Sequence, residues 1–260
     1  MPVVAVDARG GGPQASLLVA ELRRFEGLRV PAWRPWSRLV APHAVHALGG
    51  RLPRALPCPG IVAYTRMTDE RTLRDARLVL CPSQAAMRGA ARRPGADEAR
   101  LRVVPHGVAL PPRRQLRPPD TGRTGALALG GEMQPLRDAW RRAGGGGELA
   151  RPDRADAAAA LAGTSVLVDL RDDVLFGGLA LLALAAGVPV VALAGGAAAE
   201  AIGDAGVLVE DRHDPEAVAQ ALGCALRDRE SLAAAGPPRA ALFTWSGTAE
   251  ATVMTYRELW

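Results

Sequence analysis

The stretch that decides the fold is SVLVDLRDDVLFGGLALLALAAGVPVVALAGGAAAEAIGDAGVLV, residues 165–209. It reads strand, glycine turn, apolar helix, strand and second glycine turn. The turns are Gly177–Gly178 and Gly195–Gly196, and each stands between a strand and a helix. Two successive junctions of this kind place two helix N-termini at the carboxyl edge of a parallel sheet. Backbone N–H groups and the helix dipole bind anions there. The stretch therefore predicts an α/β fold with a phosphate-bearing ligand.

The composition is that of an ordinary globular protein. The chain has 260 residues, 48% apolar and 23% charged, which is enough for one large domain or two small ones. No uninterrupted apolar run reaches ~18 residues, so we expect no transmembrane helix. The N-terminal MPVVAVDARGGG carries an early acid and no basic start, which predicts a first buried strand rather than a secretory signal. These features favour a cytoplasmic protein.

The cysteines argue against a metal-binding protein, and the distribution of charge argues against a nucleic-acid-binding protein. Cys58, Cys81 and Cys224 are too far apart for a metal site, so we expect reduced thiols, no metal and no cofactor. All 32 basic residues are arginine, and the net charge is +5. The arginines are spread along the chain, and two tyrosines and three phenylalanines offer little surface for base stacking. We therefore expect no nucleic-acid partner.

The N-terminus repeats the strand–glycine–helix pattern. VVAV (residues 3–6) is followed by DARGGGPQAS and then by the helical run LLVAELRRF. Gly11 and Gly12 would line a phosphate-binding loop, although glycines serve a tight strand-to-helix turn equally well. Farther on, ALPPRRQLRPPDTGRTG is rich in proline and arginine and has no apolar period, which is typical of a linker. We expect four or five strands after it.

Several segments, in this order, resemble one enzyme family. They are DARLVLCPSQAAMRGAARR (75–93), RVVPHGV (102–108), GVPVVALAGGAAAEAIGDAGVLV (187–209), DPEAVAQALGCALRD (214–228) and FTWSGTAEATVMTYREL (243–259). Together they are similar to GT-B glycosyltransferases of family 4, the glycosyl transferases group 1, and the resemblance covers well over half of the chain. This chain looks like a compact, divergent member.

The resemblance implies two Rossmann-like lobes with parallel sheets. An acceptor-side domain would span 1–110, a linker 111–123 and a nucleotide-sugar-binding domain 124–244, and a helix over 245–260 would return to the first domain. The implied activity is that of a hexosyltransferase, which moves a sugar from an NDP-sugar to an unidentified acceptor with retention of configuration. A lipid-linked acceptor and a polysaccharide are both compatible with it.

The resemblance also implies a set of donor-binding residues. The family's phosphate-binding arginine and lysine would align with Glu132 and Arg137, and its glutamate after the second glycine pair would align with Glu200. Arg137 could clamp phosphate or be a solvated arginine beside Asp138. The donor-binding candidates are Gly11, Gly12, Arg137, Gly177, Gly178, Gly195, Gly196 and Glu200.

The catalytic pattern departs from the family. The two glutamates that the family separates by seven residues align here with Val174 and Leu182, which cannot accept hydrogen bonds from a sugar. Asp172, Asp173 and His46 are the remaining candidates for a catalytic role, each with a structural alternative. A catalytically inactive homologue that binds nucleotide sugar or acts as a scaffold subunit is therefore the alternative function.

One segment suggests a surface contact. AWRPWSRLV (residues 32–40) combines two tryptophans with two arginines, which could touch an anionic membrane or a lipid-linked acceptor. Its prolines prevent a continuous amphipathic helix, so a loop that packs its tryptophans is the other interpretation.

Overall fold

The protein was analysed as a computed structural model that describes residues 1–33, 42–54, 56–110, 125–152, 160–172 and 175–260. The chain divides into two compact units. Unit 1 is Met1–Gly107 together with Thr244–Trp260, and unit 2 is Val108–Phe243. The expected linker, 111–123, lies outside the described residues. Among those described, no helix is long and apolar enough to cross a bilayer.

Unit 1 is built on a five-stranded parallel sheet. Its strands lie in chain order: β1 (Val4–Asp7), β2 (Ala44–Ala47), β3 (Gly60–Ala63), β4 (Leu78–Cys81) and β5 (Leu101–Val103). Three helices follow strands of this sheet: α1 (Gly12–Leu22), α2 (Glu70–Asp75) and α3 (Gln84–Ala91). The strands are almost entirely apolar because helices and loops bury a parallel sheet on both faces.

Unit 2 contains a second parallel sheet, in the order β10-β9-β8-β6-β7. The strands are β6 (Ala126–Leu129), β7 (Leu149–Ala150), β8 (Val166–Asp169), β9 (Val190–Leu193) and β10 (Val207–Val209). The helices are α4 (Met133–Arg142), α5 (Gly178–Ala185), α6 (Ala197–Ile202), α7 (Pro215–Arg227) and α8 (Arg229–Ala240). The strands and helices predicted between 165 and 209 are confirmed, as is the strand number.

The reversal of strand order in unit 2 positions its loops. The chain builds β6, steps outward to β7, and then crosses back to β8, so the loops after β6 and β8 leave the sheet side by side. Open parallel sheets bind ligands at such a switch point, outside the carboxyl ends of the strands. The topology therefore predicts a ligand site at this edge of the sheet.

The last helix, α9 (Trp245–Tyr256), belongs to unit 1. The Thr248 hydroxyl donates to the carbonyl of Pro105 at 2.8 Å, and Arg102 forms a bidentate ion pair with Glu258 just after the helix. Deeper inside, the Tyr256 hydroxyl lies 2.6 Å from Nδ1 of His46 on β2, and both side chains are buried. A polar contact thus anchors the C-terminal helix to the central part of the sheet.

Burial of His46 makes unit 1 sensitive to acid. Burial lowers the pKa of His46 to about 3, whereas an exposed histidine titrates near 6.5. Below about pH 6.5 the unfolded chain therefore binds a proton that the folded chain refuses, and stability falls as the pH drops. We expect His46 to contribute up to ~1.4 kcal/mol per pH unit to this loss.

Denaturant unfolding between about pH 7 and pH 5, compared for wild type and His46→Gln, measures this contribution. The variant keeps a partner for Tyr256 but does not titrate, so its free energy of unfolding should depend less on pH. The half-buried His106, whose pKa is also lowered by burial, remains in both proteins. Identical pH dependence in the two would contradict the assignment.

Candidate functional site

The carboxyl edge of the sheet in unit 2 is crowded by loops. Gly130 and Gly131 follow β6 with φ of 74° and 67°, in the left-handed region that favours glycine. A Cβ on Gly130 would lie 2.8 Å from Cγ of Arg171, which follows β8. A Cβ on Gly196, after β9, would lie 3.4 Å from the Arg171 carbonyl oxygen. The loops after three neighbouring strands therefore contact one another at Arg171.

A buried ion pair holds the central loop of this edge. Asp169 ends β8 and is fully buried, and its carboxylate accepts from Nε and Nη2 of Arg171 at 2.8 and 2.7 Å. Such a two-bond pair compensates a carboxylate that would otherwise be costly to bury. Unit 1 contains the same device, because Asp7 ends β1 and accepts from Nε and Nη2 of Arg9 at 2.8 and 2.6 Å.

A cavity of about 420 Å³ opens beside this loop. Its walls come from the β6–α4 and β10–α7 connections and from the first turns of the two helices. The polar side chains are those of Glu132, Arg212 and His213, and the apolar ones are Pro135, Leu136, Pro215 and Val218. A mostly apolar cavity with few polar groups is the usual form of a small-molecule site.

Arg212 is the most firmly held cation of the cavity. Its Nε–H donates to Nε2 of His213 at 3.2 Å, and Nη1 donates to the Leu170 carbonyl at 3.4 Å. Nη2 forms an ion pair with Asp172 at 2.9 Å, and this contact lowers the pKa of that carboxyl group.

The sequence prediction did not select Arg212 or His213. One signal was available: DRH stands between β10 and the Asp214 cap of α7, so it had to lie at the carboxyl edge. Asp172 was a catalytic candidate, and its side chain is 60% exposed but paired with Arg212. Its neighbour Asp173 lies outside the described residues, as does Val174.

Of the four glycines between strand and helix, Gly177 and Gly196 are closely packed, whereas a Cβ on Gly195 would meet nothing within 4 Å and one on Gly178 nothing closer than 3.7 Å. A Cβ on Gly177 would lie 2.7 Å from Cβ of Ala201 and 2.9 Å from Cα of Ala198, so Gly177 lets α5 and α6 approach. Gly196 was expected to present its N–H to a donor, but that group donates to the Leu193 carbonyl at 3.2 Å. Gly178 begins α5, and Gly195 turns with a φ of 71°.

The charged candidates lie apart from the cavity walls. Arg137 donates to the Leu149 carbonyl at 3.5 Å and lies 3.8 Å from the Glu148 carboxylate, and its side chain is 46% exposed. The Asp138 carboxylate accepts from Arg141. Glu200 is half-buried on α6, where its backbone carbonyl accepts from Nη2 of Arg239 at 2.8 Å.

Among the candidates in unit 1, His46 is buried and Gly11 is closely packed, whereas Gly12 is exposed. His46 was considered for a role toward the acceptor, but its side chain is 1% exposed and contacts Tyr256, so it cannot meet a ligand at the surface. Gly11 packs tightly, because a Cβ there would lie 2.6 Å from Cβ of Ala15 and 3.2 Å from Leu48. Gly12 has a φ of 62° and open space around it.

Comparison with known proteins finds a family match within unit 2. A family model described as "Glycosyl transferases group 1" matches residues 127–228. Over this segment, unit 2 is similar to the group 1 glycosyltransferases. A D-inositol 3-phosphate glycosyltransferase from Corynebacterium urealyticum is 46% identical over 89 residues, which cover 32% of this chain and 21% of that protein. The match to this curated relative thus spans about a fifth of the relative's length.

Solved structures establish the wider fold. Sucrose-phosphate synthase from Thermosynechococcus elongatus superposes with a TM-score of 0.65 at 16% identity, covering 100% of this chain and 99% of that one. HepE from Anabaena, solved in complex with UDP, gives 0.64 at 14% identity, covering 99% and 100%. These likenesses show a GT-B fold. The described residues contain no cluster of three His, Cys, Asp or Glu side chains that could hold a metal.

The two glycines before α5 provide a packing test. Gly177→Ala forces a methyl group against Ala201, so we expect a loss of ~1–3 kcal/mol in the free energy of unfolding. Gly178→Ala meets nothing closer than 3.7 Å, so we expect no loss. Thermal and denaturant unfolding of the two variants checks this difference. Equal stability of both variants would show that α5 and α6 are not packed through Gly177.

Proposed function

We propose that this chain binds a nucleotide sugar at the cavity of unit 2 and transfers the sugar to an acceptor. One observation carries the proposal: every residue that lines the cavity lies within 127–228, the segment that matches the group 1 glycosyltransferases. The fold relative HepE, which has also been solved with UDP-glucose, supports a nucleotide-sugar ligand. The proposed activity is hexosyl transfer with retention, to a lipid-linked or polysaccharide acceptor.

The cavity offers what a diphosphate leaving group requires. Arg212 contributes a guanidinium that three contacts hold in place, and α4 begins at the cavity wall. A preorganised cation and the positive end of a helix dipole both stabilise the negative charge that grows on a departing phosphate. We assign phosphate binding to Arg212, because the Glu132 carboxylate at the N-cap of α4 offsets the positive end of that helix. No metal or cofactor is required for this role.

Incubation of the purified protein with UDP-, GDP- and ADP-sugars tests the function. Free nucleoside diphosphate, measured by chromatography with and without candidate acceptors, reports hydrolysis and transfer. Calorimetry with UDP, GDP and ADP reports binding independently of turnover. Binding with release of nucleotide supports the enzyme, whereas absence of both with every donor contradicts it.

Arg212→Gln separates phosphate binding from nucleoside binding. Loss of a charged hydrogen-bond donor to phosphate should weaken binding of the preferred nucleoside diphosphate about tenfold or more. Binding of the corresponding uncharged nucleoside should change little. Arg227→Gln, at the far end of α7, is the matched control and should bind both ligands as wild type does. Equal weakening of nucleoside and nucleotide would show that Arg212 only supports the loop.

A second candidate function is supported by Leu182. This residue stands where the family places a glutamate, and here it lies on α5, partly buried against the apolar core of unit 2. The helix GLALLALA carries no ionisable side chain. A protein that binds nucleotide sugar without transfer, as a sensor or a partner subunit, would need no carboxylate here. If the protein binds a nucleotide sugar of the panel but releases no nucleoside diphosphate from any of them, this second function is supported.

The substitution Leu182→Glu tests whether a glutamate at this position of α5 can contact the ligand, as the resemblance implies. Because Leu182 packs against the core, an introduced carboxylate loses solvation, and we expect a lower melting temperature without tighter nucleotide binding. Leu182→Met conserves volume and apolarity and should be nearly neutral. Melting temperature and nucleotide affinity are measured for both variants. Tighter binding by a stable Leu182→Glu protein would indicate instead that this position faces the donor.

A further inference from the structure

A second cavity, of about 480 Å³, lies within unit 1. It opens at the amino edge of the five-stranded sheet, because its walls include Gly60, which begins β3, and Arg77 and Arg100, which directly precede β4 and β5. The ligand site expected for a parallel sheet lies at the opposite, carboxyl edge. The residues that line this second cavity therefore need an explanation of their own.

The walls of this cavity carry more positive than negative charge. Among the described residues that line it, the charged ones are Arg71, Arg77, Arg100 and Asp75, so three positive charges against one negative leave a surplus of two. Because β4 and β5 are paired, the sheet brings Arg77 and Arg100 to the same edge. Like charges gathered in a concave place repel one another, and a bound anion relieves that repulsion.

Two of the arginines are held in place by backbone carbonyls. Nη2 of Arg71 donates to the Leu52 carbonyl at 2.7 Å. Nη1 of Arg100 donates to the carbonyls of Arg74 and Ala76, at the end of α2, at 3.0 and 3.3 Å. A neutral carbonyl fixes a guanidinium without cancelling its charge, so the cavity contains two preorganised cations.

The carboxylates beside these two arginines are half exposed. Asp75 lies 3.3 Å from Nη1 of Arg71 and Asp97 lies 3.0 Å from Nε of Arg100, and each of the two acids has a side chain that is 48% exposed. Ion pairs this close to solvent neutralise their cations weakly. Within the described ranges Nη2 of Arg100 has no hydrogen-bond partner. Both guanidinium groups therefore keep donors for a further acceptor.

Arg77 is the arginine that the fold does not use. Its side chain is exposed, and it forms no hydrogen bond or ion pair with any residue that the structure describes. Arg102 and, more weakly, Arg77 lower the pKa of Glu258, but both oxygens of that carboxylate accept hydrogen bonds from Arg102. All five side-chain N–H groups of Arg77 are thus available to a ligand.

We propose that this cavity is a second ligand site, which binds a small phosphate monoester through Arg71, Arg77 and Arg100. A guanidinium matches phosphate with two parallel hydrogen bonds. Apolar walls such as Leu52 and Pro59 suit the uncharged body of the ligand, and the volume lies within the range of about 300–1,000 Å³ that is usual for small-molecule sites. The assignment goes beyond the proposed nucleotide-sugar function and does not depend on it, because every wall belongs to unit 1.

Cys58 lines the cavity and can report its occupancy. Burial raises the pKa of this thiol, so it reacts slowly and serves as a probe of the site. Its alkylation by iodoacetamide is followed by peptide mass spectrometry with glucose 6-phosphate, glycerol 3-phosphate or inorganic phosphate present, at constant ionic strength. Cys224, which is half-buried on α7 and does not line the cavity, is the reference within the same sample.

A phosphate ester present at about ten times its dissociation constant should slow alkylation of Cys58 about tenfold and leave Cys224 unchanged. Glucose and glycerol, which lack the phosphate, should not protect. Equal slowing of both cysteines would show an effect of the solution and not of a site, and would overturn the assignment. Equal protection by glucose, or no protection by any phosphate probe, would overturn it as well.

The substitution Arg77→Gln tests the cation directly. It should raise the phosphate ester concentration that half-protects Cys58 about tenfold, because charged hydrogen bonds to phosphate are lost. The variant should melt at the wild-type temperature, since this side chain forms no hydrogen bond in the described structure. Arg92→Gln, an exposed position at the end of α3 outside the cavity walls, is the matched control and should behave as wild type.

Arg212→Gln separates this site from the nucleotide-sugar site. It should weaken nucleoside diphosphate binding, as argued above, and leave protection of Cys58 unchanged. Protection that survives Arg77→Gln in full would overturn the second site, whatever the donor panel shows. Loss of nucleotide binding with protection of Cys58 intact would contradict the proposed function alone.

Discussion

The carboxyl edge of unit 2 depends on the ion pair between Asp169 and Arg171. Burying a carboxylate at the end of a central strand is unfavourable unless two strong hydrogen bonds compensate it, and Arg171 supplies both. The pair fixes the start of the β8–α5 loop between Gly130 and Gly196. The next contacts follow from it, because the Leu170 carbonyl and Asp172 then stand where Arg212 can bind them.

The sequence predicted the scaffold better than the site. Strands such as β8 and β9 are continuous apolar runs bounded by glycine, so their existence and order could be read directly. The site depends on side chains that meet across the sheet, and no local pattern reports such meetings. Arg212 lies far along the chain from Asp172, and only the structure shows their ion pair.

Glycines illustrate the same limit in another way. A glycine between strand and helix is compatible with a ligand that approaches the backbone and with a helix that packs there. For Gly177 the neighbouring Ala201 decides for packing, and for Gly11 the neighbouring Leu48 does. His46 shows the same ambiguity, because a histidine at the end of an apolar run can face a ligand at the surface or contact a buried side chain. In the structure it contacts Tyr256, which lies at the other end of the chain.

The charged side chains that line the cavity lie on two loops and not on α5. The α5 helix carries no ionisable side chain and packs into the core, so it supplies no charged acceptor at this edge. The β6–α4 loop carries a carboxylate at a capping position that does not cap, and the β10–α7 loop carries a restrained guanidinium. A carboxylate at the N-terminus of α4 favours that helix through its dipole, so folding accounts for Glu132 without a ligand. The charged walls of the cavity therefore come from the two outer loops, while α5 contributes packing.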